Sequence, residues 1–130
     1  MTDESRNEMV RLQMERAERF LAQADLMLES KLFDLAANRY YYACFHAIQG
    51  LFIHDRLSSH NHRGLHQTLG MNYVKEGKFD PQLSGFLRTM EQLREKADYN
   101  CAYDVTEDEV AEMRQPSHDI IETVKQMIAQ

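Results

Sequence analysis

The stretch Ala36-Ala37-Asn38-Arg39-Tyr40-Tyr41-Tyr42-Ala43-Cys44-Phe45-His46-Ala47 decides the reading of this chain. It lies inside a longer proline-free segment, about Leu32 to His54, that is apolar on nearly every side: Leu35, Ala36, Tyr40, Tyr41, Ala43, Phe45, Ala47, Ile48, Phe52 and Ile53. A helix that is apolar all round belongs in the middle of a bundle. Ala36, Ala43, Ala47 and Gly50 form a strip of small residues along which a second helix can approach closely.

Upstream, Val10, Met14, Ala17, Leu21, Ala24 and Leu28 are spaced 4-3-4-3-4, the seam of a helix running from about Ser5 to Ser30 and packed nearly antiparallel or parallel to its neighbours. Downstream, Asp55 to Asn61 is polar and reads as a loop, and a shorter helix is expected from about His62 to Glu76, stopped by Gly77. Asp80-Pro81 opens a fourth helix, with Asp80 as cap and the proline in the first turn, where its missing donor costs nothing. That helix carries Leu83, Phe86, Met90, Leu93 and Ala97 and should end near Asn100 to Tyr103. Thr106 and Glu109 form a capping box for a last helix with Val110, Met113, Ile120, Val124 and Met127, which Pro116 should kink or interrupt. The expected architecture is all-α: an antiparallel up-and-down bundle of four long helices plus one short one, a single domain over residues 1–130.

Composition agrees. The 130 residues hold only 5 glycines and 2 prolines, too few breakers for a sandwich or barrel. The longest mostly apolar stretch, Tyr40 to Ile53, is too short to span a bilayer and contains His46 and Gln49, so no membrane association is expected. The polar, acidic start, Met1 to Glu8, is unlike a signal peptide. Cys44 and Cys101 lack a CxxC partner and read as reduced, small buried residues of a cytoplasmic protein.

The net charge of −6 is unevenly spread. Residues 56–97 hold seven basic groups (Arg56, Arg63, Lys75, Lys78, Arg88, Arg94, Lys96) against four acids, and His60, His62 and His66 lie among them. Such a patch is either ordinary helix-surface charge or a place for an anionic ligand. On the second helix, Arg39 and His46 are two turns apart and share a face, with Tyr42 on its flank. An arginine on a largely buried helix needs a partner, either an internal ion pair with Asp98 or Asp34, or an anionic ligand. Arg94 and Asp98 are i, i+4, with Tyr99 beside them. His62 and His66 share a helix face, but no third ligand is spaced to complete a metal site. No phosphate-binding glycine loop or nucleophile elbow occurs, so neither metal nor cofactor is expected.

Three segments together resemble the HEPN family (higher eukaryotes and prokaryotes nucleotide-binding), in its small stand-alone bacterial and archaeal branch. They are Ala36 to Ala47, His62-Arg63-Gly64-Leu65, and Leu93-Arg94-Glu95-Lys96-Ala97-Asp98-Tyr99. The likeness covers roughly Val10 to Ile128. It implies a helical bundle, often a homodimer, with nucleotide or RNA dealings. Some members are metal-independent ribonuclease toxins that use an Arg-x(4–6)-His motif from each protomer, often beside a minimal nucleotidyltransferase antitoxin. Others bind nucleotides without catalysis. Here the position after Arg94 and four further residues is Tyr99, not histidine. Arg39 and His46 keep the spacing on the second helix; Arg56 and His62 keep it too, by coincidence.

Three functions follow. In the first, the chain is a nucleotide- or RNA-related module partnered by a nucleotidyltransferase in a toxin–antitoxin-type system, with Arg39 and Arg94 holding a phosphate and Asp98, Tyr99, Tyr42, His62 and Arg63 around the ligand. In the second, it is a metal-independent ribonuclease with Arg39 and His46 as the reacting pair. There, His46 or His62 would take the ribose 2′-hydroxyl proton, and Arg39 or Arg94 would stabilise the charge on phosphorus. In the third, the polar centre is structural or serves protein interaction only. No DNA sequence readout is expected.

Overall fold

The computed structural model describes residues 1–59 and 61–130, and His60 lies outside the described residues. All regular elements among them are helical: α1 (Asp3–Glu29), α2 (Phe33–His54), α3 (His62–Leu69), α4 (Pro81–Tyr99) and α5 (Glu107–Ala129). Cross-helix contacts give the topology. Gln13 meets His46 and Gln23 meets Arg39, so α1 and α2 run antiparallel. Asn38 meets Asp98 and Tyr41 meets Glu91, so α4 opposes α2. Glu18 meets Lys125 and Asp25 meets His118, so α5 opposes α1. The bundle is therefore up-down-up-down, as the sequence predicts. No helix is long and apolar enough to cross a membrane among the described residues.

Helix α2 occupies the middle. Ala36, Ala37, Tyr40, Tyr41, Ala43, Cys44, Ala47 and Ile48 are fully buried. The small-residue strip works as expected: a Cβ built at Gly50 would come within 3.1 Å of Met14 Sδ, which is how closely α1 lies against α2. The helix is not covered all round, however. Asn38, Arg39, Tyr42, Phe45, His46 and Gln49 are half-buried and form one stripe at i, i+3/i+4 spacing. This is the face left between α1 on one side and α3 with α4 on the other.

Local chemistry explains the ends. Thr2, Asn61, Asp80 and Thr106 each cap a helix with a side-chain oxygen, and Thr106 and Glu109 form the reciprocal box. Helices α1 and α2 both end in Schellman turns, with Lys31 (φ 64°) and Arg56 (φ 63°) in the left-handed position usually held by glycine.

Four expectations are corrected. The third helix does not stay α-helical to Glu76: at Gly70–Val74 it widens into a π turn, then stops at Gly77 (φ 73°). The wider turn carries Tyr73 onto Phe52, ring on ring at 5.7 Å, where its hydroxyl donates to Asp55 at 2.7 Å. Helix α5 runs through Pro116 without interruption. The core edge of α4 is Leu87, Met90 and Arg94, whereas Phe86 is 43% exposed. Cys44 is buried but Cys101 is exposed, near the end of α4 where no element packs on it.

Candidate functional site

The open stripe of α2 divides into two cationic clusters. On the α1 side, the Arg39 guanidinium lies 4.6 Å from the Phe20 ring centroid and donates to Gln23 Oε1 (3.0 Å) and Asn38 Oδ1 (2.8 Å). Its partners are amides; neither Asp34 nor Asp98 pairs with it directly, because both α1 and Asn38 reach the guanidinium first. His46 sits on the other flank of Phe20, with ring centroids 5.4 Å apart, and its Nδ1 is 2.9 Å from Gln13 Oε1. Phe20 therefore touches both Arg39 and His46. Burial first, then the nearby charges of Arg16 and Arg19, pushes His46 down to about 4, so the ring is neutral at pH 7. Arg16 and Arg19 also line a surface cavity of about 250 Å³ with Gln13, Met9 and Leu12.

On the α4 side, Arg94 is 3% exposed. Its guanidinium carbon lies 5.4 Å from the ring centroid of Tyr41, 5.3 Å from that of Tyr42 and 5.8 Å from that of Tyr99. Such cation–π contacts are each worth about 0.5–2 kcal/mol. Its carboxylate neighbours stand farther than hydrogen-bond range, Asp98 at 3.7 Å and Glu95 at 4.0 Å, and its buried Nε has no partner among the described residues. Tyr99, 76% exposed, lies over Arg94 from the solvent side.

His62 enters from the start of α3, where Asn61 caps the helix by accepting from Gly64 N at 2.7 Å. The Gly64 site is tight: an added Cβ would meet Asn61 Oδ1 at 3.1 Å. The His62 ring packs on Phe45 (4.9 Å), Tyr41 (5.5 Å) and Tyr42 (5.9 Å), and its Nδ1 is 2.7 Å from the Tyr41 hydroxyl. That hydroxyl also reaches Glu91 Oε2 at 3.3 Å, and the same oxygen is bonded to His66 Nε2. Burial, more than any neighbouring charge, holds His62 below its ordinary value. Arg63 lines a cavity of about 360 Å³ between α3 and α4, together with His66, Arg88, Glu91, Gln92 and Glu95.

The structure thus gathers Arg94, Asp98, Tyr99, Tyr42 and His62 into one cluster. It places Arg39 and His46 toward α1, with the His46 ring still 6.5 Å from that of Tyr42 and 5.6 Å from that of Phe45, and Arg63 outside both. Sequence reasoning missed Tyr41, Glu91, Asn38 and Phe20. Only Asn38 and Tyr41 carried a signal, since they sit in the segment that set the reading. Among the described residues no group of three or more metal-ligating side chains converges.

A five-helix bundle whose central helix presents Arg39, Tyr42 and His46 along one open stripe, with His62 and Arg94 brought to it from α3 and α4, defines the class. The family described as the HEPN domain matches residues 10–127, and the chain belongs to it. A candidate toxin of Methanocaldococcus jannaschii, MJ0142, is 21% identical over 115 residues, covering 88% of this chain and 78% of that protein. A second candidate toxin of the same organism, MJ0605, is 34% identical over 86 residues, covering 66% of this chain and 64% of that protein. The crystal structure of ST0689, an archaeal HEPN homologue, superposes with a TM-score of 0.74 at 17% identity, covering 92% of this chain and 97% of that one.

Proposed function

We propose that this chain is a toxin-type HEPN module that holds a phosphate of RNA or of a nucleotide at the Arg94 cluster, with a nucleotidyltransferase as its partner. One observation carries the phosphate reading: a nearly buried guanidinium with an unpartnered Nε and no carboxylate within hydrogen-bond range. A planar cation of this kind suits a phosphate in place of a weakly held carboxylate. Tyrosines on both sides offer stacking faces for a base, and rotation of the exposed Tyr99 would open Arg94 to the ligand. The names of the two relatives support the toxin context and hence an antitoxin partner. Pairing of two copies, which the resemblance implies, belongs to the same reading.

A second reading is metal-independent RNA cleavage, and the contact of His62 and Arg94 with the same two tyrosines favours it. A neutral His62 would accept the 2′-hydroxyl proton and Arg94 would offset the charge developing on phosphorus. One experiment separates these. Short single-stranded RNA is titrated in EDTA with wild type and with Arg94→Lys, His62→Ala, Arg39→Ala and His46→Ala, while products are followed on gels. Binding weakened chiefly by Arg94→Lys supports the phosphate site. Cleavage lost in Arg94→Lys and His62→Ala adds the ribonuclease. Unchanged binding in Arg94→Lys overturns the site.

A further inference from the structure

His62, Tyr41, Glu91 and His66 are joined in a line across three helices, and the proton positions in that line can be worked out from its ends. Glu91 Oε2 faces the Tyr41 hydroxyl and His66 Nε2 together. A carboxylate has no proton to give, so both neighbours must donate to it. His66 fits this, because its Nε2 faces Glu91 and can carry a proton toward that carboxylate. Tyr41 has a single proton, and Glu91 claims it. The tyrosine oxygen is then an acceptor toward its other neighbour, His62 Nδ1 at 2.7 Å, which must be the N–H. The reverse arrangement would set a tyrosine lone pair against a carboxylate oxygen at 3.3 Å inside a half-buried network, where such a clash is poorly screened.

We propose that Glu91 is a positioning residue for His62: acting through the Tyr41 hydroxyl, it holds the imidazole with its proton on Nδ1 and its lone pair on Nε2. Among the described residues the one hydrogen bond of the His62 ring is at Nδ1, so the Nε2 lone pair is the group left for a ligand. Without Glu91, the Tyr41 proton would turn to His62 Nδ1 and the imidazole proton would move to Nε2. The nitrogen facing a ligand would change from acceptor to donor. This rests on the reading of His62 as part of the ligand site, but it makes a claim about the free protein.

The test is long-range proton–nitrogen correlation NMR of the His62 ring, at a pH where it is neutral, on the whole chain. The wild type should show a single tautomer, protonated on Nδ1. In Glu91→Leu, which keeps volume but removes the acceptor, the protonated nitrogen should become Nε2. In Tyr41→Phe, which leaves the Glu91–His66 contact intact, His62 should show both tautomers. A wild-type ring protonated on Nε2 overturns the proposal even if neither variant folds. So does a Glu91→Leu protein that folds and keeps the Nδ1 proton. A wild type with the expected tautomer that leaves RNA unbound and uncut supports the relay while overturning the functional reading, so the two failures are distinct.

Discussion

Asn38 Nδ2 donates to Asp98 Oδ2 at 3.1 Å, a bond that runs from one cationic cluster to the other. The other end of the same amide accepts from Arg39 at 2.8 Å, and Asp98 stands 3.7 Å from Arg94. Arg39 and Arg94, on different helices and 55 positions apart in the sequence, are thus linked through a single asparagine side chain.

Asn38→Ala should remove both bonds without touching the core. The stability loss is expected to be about 0.5–1.5 kcal/mol in urea unfolding, since the amide is only half-buried. RNA or nucleotide binding should weaken more than this small loss implies, because both guanidiniums lose a fixed neighbour. Binding equal to wild type would show that the bridge is only structural.

The depressed His46 gives a pH dependence with a definite sign. The unfolded chain binds its proton near the ordinary histidine value of about 6.5, whereas the folded chain binds it at about 4. Between those values the unfolded state holds more protons. The stability from this residue is therefore complete above the upper value and is lost as pH falls toward the lower one. His46→Gln should flatten the fall in urea midpoint over that window relative to wild type. The carboxylates titrate in both proteins and cancel in the comparison. An unchanged slope would mean that His46 is solvated.

Two glycines should respond oppositely to larger residues. Gly85 lies in α4 with nothing within 4 Å of an added Cβ, so Gly85→Ala should stabilise by about 0.5–1 kcal/mol through helix propensity. Gly50 faces Met14 and Gln13 at 3.1 and 3.4 Å, so Gly50→Leu should separate α1 from α2 and destabilise by about 1–3 kcal/mol. Thermal melts of the pair check both signs at once.

Asp25 fastens three helices. It accepts from Tyr40 of α2 at 2.5 Å and from His118 of α5 at 2.8 Å, with Arg114 at 3.5 Å. Asp25→Ala leaves the Tyr40 hydroxyl without its partner and should cost about 1–3 kcal/mol. Combining it with Tyr40→Phe should cost less than the sum of the two single changes, because the shared bond is counted twice. A strictly additive double-mutant cycle would argue against coupling.

The bundle was legible because its signals are local. The 4-3 spacing from Val10 to Leu28, the cap at Asp80 and the box at Thr106 each specify a helix or its end within a few residues. The misreadings have equally specific causes. Of the two effects expected of Pro116, a kink or an interruption, the interruption does not occur: α5 continues, with Val110, Met113, Ile120 and Val124 buried on either side. The spacing of Phe86 from Met90 predicts a core position, but α4 is rotated so that Leu87 and Arg94 are buried beside Met90 instead. Apolar period fixes a stripe's width better than its centre.

The candidate site was half legible. Arg39, His46, Arg94 and His62 stand out as unusual residues in apolar or basic surroundings, and that much the sequence determined by itself, together with helix count, order and the central place of α2. Which of them meet was decided only by the tertiary structure. Phe20 of α1 meets both Arg39 and His46, and Tyr41 reaches His62, 21 positions on, and Glu91, 50 positions on. The physical reason is that helix formation answers to neighbours three and four residues away. Side-chain partners depend instead on how each helix is rotated and slid against the next, and close packing of the whole core sets that.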